Sequence, residues 1–158
     1  MRIALLLPTL AFCVSAHSGE APLVFMADND PAMLRAFAKA RSTLDAFLKL
    51  AANRPPELSR FAVKVGIAEG KDTEYFWITD FIQNGEHLSG KIGNTPQIVK
   101  AVKLDQVYDF KRDQVVDWLY LDRPKQKMVG NFTYCALLTK EPPAQAEAEK
   151  KRFNLECD

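Results

Sequence analysis

Acidic side chains are the first residues in this chain whose types could carry chemistry. Glu74, Asp80, Asp105, Asp109, Asp113, Asp117 and Asp122 crowd its middle, and a pair of carboxyls is the minimum equipment for acid and base work in a hydrolase or lyase. Asp80 and Asp117 are the candidates. By strand alternation Asp80 shares a face with Phe76, Ile78 and Ile82, and Asp117 precedes Trp118. An acid on an apolar face is either paired or has a raised pKa. The plainer account, preferred here, is that each caps a turn or accepts backbone N–H bonds. Imidazole is scarce, with only His17 and His87. There is no Gly-x-Ser-x-Gly elbow, no His-Glu-x-x-His and no clustered cysteine pair, so no catalytic residue is assigned. Gly66 to Lys71 is one residue short of a phosphate-binding loop and continues into Asp72 in place of a hydroxyl side chain. A remote alternative is copper: cleavage after Ala16 would make His17 the N-terminus, whose amine and ring could join His87 around the ion. Otherwise no cofactor is expected.

Those residues sit behind an N-terminal segment with its own meaning. Met1-Arg2, an apolar run from Ile3 to Leu10 and the small residues Val14-Ser15-Ala16 form a signal-peptide pattern. The run is well below the ~20 residues of a membrane-spanning helix. Residues 1–16 are therefore expected to be cleaved, and the protein to be periplasmic or secreted with no stable membrane association afterwards. A lipid anchor on Cys13 is the competing reading. Losing Arg2 from 21 basic residues leaves 20 against 20 acidic. That balance argues against a nucleic-acid partner. Arg123, Lys125 and Lys127 read as a solvated hairpin tip. Cys13 leaves with the leader, so Cys135 and Cys157 remain, and two cysteines in an oxidising space read as one disulfide.

The rest of the chain must position these groups. Residues 17–29 form a leader with a short extended candidate at 21–27. Asp30-Pro31 opens a helix of about 30–53, with Leu34, Phe37, Arg41, Leu44, Leu48 and Ala51 recurring at three- and four-residue steps and Met33, Ala40 and Phe47 widening the stripe. Pro55-Pro56 stops it. Strand-like segments fill about 60–138: Phe61 to Ile67, then Glu74 to Ile82, whose rings make it the centre of the sheet, then His87 to Ile92 after an Asn84-Gly85 turn. Val107 to Phe110, Gln114 to Leu121 and Met128 to Leu138 follow, with helix left open for the second half of the last. A short helix of about 143–154 closes the chain. The fold class is α+β: a small, strongly curved antiparallel sheet or SH3-like partial barrel of five to six strands in one domain, 30–158, packed by a long N-terminal and a short C-terminal helix. Asn131-Phe132-Thr133 fits a glycosylation sequon but lies in an extended apolar segment.

Phe61 to Val65, Glu74 to Phe81, Ser89 to Pro96, Val116 to Tyr120 and Met128 to Thr133 together resemble the YegJ-like bacterial family, domain of unknown function 2314. The likeness runs from about Asp28 to the C-terminus. It implies a small exported bacterial domain and brings no established reaction, so no catalytic role is carried over. Trp77, Asp80, Asn94, Asp117, Trp118 and Asn131 fall in its motifs and are the binding candidates, although tryptophans in a core need no ligand. The reading is a non-enzymatic binding or protein-interaction domain that uses an open sheet face or the Asn94 loop. An inhibitor or immunity protein for a secreted toxin is one version of it. A hydrolase or lyase on Asp80 and Asp117 is the alternative.

Overall fold

The computed structural model describes residues 27–157. The leader, His17 and nearly all of the extended candidate at 21–27 lie outside the described residues.

Helix α1 spans Pro31–Asn53. The Asp30 carboxylate caps it by accepting the Ala32 N–H at 2.8 Å, and Pro31 occupies the first turn, where no intrahelical donor is needed. It ends at Arg54, which turns left-handed (φ 41°) ahead of the two prolines. Met33, Ala36, Phe37, Ala40, Leu44, Phe47, Leu48 and Ala51 are buried. Leu34 and Arg41 of the expected stripe are exposed, because the stripe drifts round the helix onto Ala36.

Six strands follow: β1 Leu58–Glu69, β2 Asp72–Asn84, β3 His87–Ile92, β4 Val107–Lys111, β5 Val115–Asp122 and β6 Lys127–Gly130. They form one open antiparallel sheet in the order β4-β3-β2-β1-β5-β6. Only a 3-10 turn, Arg112–Gln114, links β4 to β5, yet three strands lie between them in the sheet. Three residues reach roughly 10 Å, whereas four strand spacings in a flat sheet cover roughly 19 Å. The sheet must therefore curl until the end of β4 approaches the start of β5. This is the expected α+β curved sheet, and it stays open.

The concave side holds the core. Val63, Val65, Phe76, Ile78, Ile92 and, from the β3–β4 loop, Val99 are fully buried against Leu44 and Phe47 of α1. Trp118 stacks on Phe47 with ring centroids 4.8 Å apart and donates its indole N–H to the Ala40 carbonyl at 3.1 Å. Met128 to Leu138 is strand only as far as Gly130; helix α2, Phe132–Leu138, takes the remainder. Helix α3 spans Pro143–Phe153, and a disulfide joins Cys135 in α2 to Cys157 beyond α3, with Cα atoms 5.4 Å apart.

Alternation fails at Asp80. Its φ is 50°, and the β2–β3 register shifts between Thr79 and Ile82. This bulge turns Phe81 into the core and leaves Ile82 69% exposed, so Asp80 does not share a face with Phe76 and Ile78.

Candidate functional site

Two places on the sheet gather the candidate residues. The first is a buried polar knot. Cross-strand register lines up Trp77 of β2, Lys64 of β1 and Asp117 of β5 in one row, so their side chains share a face. Asp117 is fully buried. Its Oδ1 accepts the Trp118 and Phe132 N–H groups at 2.8 and 3.1 Å, and its Oδ2 accepts the N–H and hydroxyl of Thr133 at 2.8 and 2.6 Å. Lys64 donates to the same hydroxyl at 2.6 Å, and its ammonium lies 4.4 Å from the centre of the Trp77 ring. Burial pushes the Asp117 carboxyl above its ordinary value, against the pull of Lys64 and the Thr133 bonds. Burial likewise pushes the Lys64 ammonium below its ordinary value, with Asp117 opposing.

This knot is architectural. Asn131 takes a left-handed conformation (φ 59°) and makes no side-chain cap, so the first N–H groups of α2 would be orphaned. Asp117, from another strand, supplies the missing cap. Asn131 donates its own N–H to the Trp118 carbonyl at 2.8 Å and its side-chain amide to the Met128 sulfur at 3.2 Å. It is buried with Thr133, which closes the sequon in the folded chain. Asn94 is a strand surrogate beyond the end of β3. Its Oδ1 accepts the Trp77 N–H at 2.8 Å, and Gly93 donates to the Trp77 carbonyl at 2.7 Å. Trp118 is core. Four of the six binding candidates therefore spend their polar atoms on the fold.

Asp80 and Asp117 are not brought together. Asp80 is exposed and pairs with Lys91 at 3.1 Å. It lies three residues past Trp77, roughly 10 Å along the strand and two strands across from Asp117. His87 opens β3 as an exposed residue opposite Lys111. Among the described residues no cluster of three His, Cys, Asp or Glu could hold a metal ion.

The second place is a groove. Pairing of β1 with β2 ends at Ala62 and Thr79, and β1 also slips against β5 between Ser59 and Ala62. An aromatic cluster packs at this point: the Phe47 ring of α1 has its centroid 6.1 Å from that of Phe61 and 6.0 Å from that of Phe81. The opening, about 520 Å³, is lined by Arg54, Arg60, Phe61, Trp77, Asp80 and Phe81, with Leu119 and Met128 along one rim. Three of these residues, Arg54, Arg60 and Asp80, have positive φ (41°, 55° and 50°). Asp tolerates that region. Arg54 uses it to cap α1, donating its N–H to the Leu50 carbonyl at 3.1 Å; Arg60 lies inside β1, where a left-handed non-glycine residue costs about 1–2 kcal/mol. Strain of this kind concentrates where geometry serves a ligand. Trp77 and Asp80 were visible as candidates in the sequence. Arg54, Arg60, Phe61, Phe81 and Met128 were not, because only the parting of two strands brings them together.

The comparisons place the chain in a family and leave the groove unassigned. A family described as an uncharacterised protein conserved in bacteria, DUF2314, matches residues 30–156. An Escherichia coli (strain K12) relative, described as the uncharacterised protein YegJ, is 31% identical over 149 residues, covering 93% of this chain and 95% of its own. No solved structure matches.

Proposed function

This chain belongs to the DUF2314 family of bacterial proteins, and we propose that it is an exported, non-enzymatic protein-interaction domain whose partner enters the groove between β1 and β2. The carrying observation is the coincidence of the left-handed Arg60, inside a strand, with an aromatic-floored opening where β1 and β2 part. Export is supported by the leader pattern of residues 1–16 and by the Cys135–Cys157 disulfide. Asp117 and Lys64 hold α2 in place, and the groove's Asp80 is an exposed acid paired with Lys91 and remote from Asp117, which favours binding over acid–base chemistry.

Photo-crosslinking tests the reading. A benzophenone amino acid at Ser59, on the groove wall, is expected to trap one discrete protein in cells, whereas the same group at Lys71, on the β1–β2 turn, is not. Identical adducts from both positions, or none from Ser59, would reject the groove. Export is tested separately by osmotic shock, which is expected to release a chain beginning at His17; an intact leader in the cytoplasm would reject it.

A further inference from the structure

We infer that the groove takes an extended acidic segment of the partner, added as a strand along the part of β1 that β2 has abandoned, with a carboxylate on Arg54 and Arg60. This rests on the groove being the interaction site. It adds the chemistry of what enters.

The backbone argument comes first. Leu58 and Ser59 pair with Asp122 and Leu121 of β5 on one edge, while Leu58 to Phe61 have no register partner in β2 on the other. An unpaired strand edge is a template for another strand. Four residues offer about 13 Å of such edge, kinked at the left-handed Arg60. β2 pairs with β3 along its other edge as far as Asn84, so beyond Thr79 its β1-facing edge has no register partner either.

Charge selects the sequence that fills it. Arg54 and Arg60 both line the groove, and among the described residues neither guanidinium has a carboxylate partner. Asp80, the acid on the lining, is already taken by Lys91. The opening therefore presents uncompensated positive charge over an aromatic floor, and guanidinium groups match carboxylates with paired N–H donors.

The test uses the processed full-length protein and three fluorescein-labelled octapeptides of alternating Thr and Val that differ at one central residue: Glu, Gln or Lys. Fluorescence polarisation is expected to rank them Glu, then Gln, then Lys, with Glu on the order of tenfold tighter than Gln. Arg60→Glu, at an exposed site, is expected to invert the order, and N-methylation of alternate amides in one of the two phases to abolish binding. Equal affinity for the three peptides, indifference to N-methylation in both phases, or no binding up to about 1 mM would overturn the inference. If the Ser59 crosslink then still captures one discrete partner, the interaction reading stands and only the acidic strand falls. If that crosslink also fails, both fall.

Discussion

Asp117→Ala tests whether the buried carboxylate is a structural cap, and its cost can be worked from the bonds it makes. The substitution strips acceptors from the N–H groups of Trp118, Phe132 and Thr133 and from the Thr133 hydroxyl, and all of these but the half-buried Phe132 N–H are closed to water. An orphaned buried donor costs about 1–3 kcal/mol, so the three closed to water give about 3–9 kcal/mol. Lys64 also loses its opposing charge while remaining hydrogen-bonded to Thr133, and an uncompensated buried cation adds to the penalty. We expect a loss of at least about 4 kcal/mol, a large part of the 5–15 kcal/mol that holds an ordinary domain together. Asp117→Asn keeps one carbonyl oxygen for two of the donors and should lose roughly half as much. Guanidinium unfolding followed by near-ultraviolet circular dichroism reads both, since Trp118 borders the site. Lys64→Met combined with Asp117→Ala should cost less than the sum of the single changes, because the double variant no longer buries a lone cation. An Asp117→Ala protein within about 1 kcal/mol of the parent would refute the capping argument.

The remaining predictions concern strain, space, protonation and the covalent link. Arg54→Gly, at the α1 C-cap, and Arg60→Gly, inside β1, relieve left-handed backbone and should each raise stability by about 1 kcal/mol in thermal melts while weakening partner capture; unchanged melting with unchanged capture in Arg60→Gly would show that Arg60 is not strained for binding. Gly130→Ala places a methyl 2.7 Å from the Trp118 ring in a φ of 85°, so a loss above about 3 kcal/mol is expected in chemical denaturation. Desolvation pushes the Glu74 carboxyl up, but the N–H groups of Val99, Gln97 and Ile98, with Lys100, outweigh it and hold it below its ordinary 4.5. The stability it contributes is thus complete above pH 4.5 and lost as pH falls through the lowered value; nuclear magnetic resonance should show the three amides moving together there, and not in Glu74→Gln. Cys157→Ser opens a 22-residue loop and should cost roughly 3 kcal/mol by the chain-entropy estimate, read as a lower denaturation midpoint that reductant produces equally in the parent chain.

What could be read from the residues and what could not divide along a physical line. Helix α1 is written locally, by a capping aspartate, a proline at its start, a periodic apolar face and two prolines after its end. The two-residue loops between β1 and β2 and between β2 and β3 are also local, with Gly70 and Gly85 supplying positive φ, although Gly85-Glu86 forms the second turn instead of Asn84-Gly85. Asp80 escapes such reading because period-two alternation assumes an unbroken pleat, and a single left-handed residue shifts every later side chain by one face. Helix α2 escapes because the group that caps it, Asp117, lies fifteen residues upstream on a different strand. The groove escapes most completely. Its walls come from β1, β2, the end of α1 and, through Leu119 and Met128, β5 and β6, and it opens where Phe47 packs near both Phe61 and Phe81. Each of those phenylalanines alone looks like ordinary core. Where they converge, the hairpin, which the sequence marks as the best-formed part of the sheet, becomes two strands with free edges and arginines beside them. A binding site made by withholding pairing leaves no motif, because nothing in the spacing of residues records a hydrogen bond that is not made.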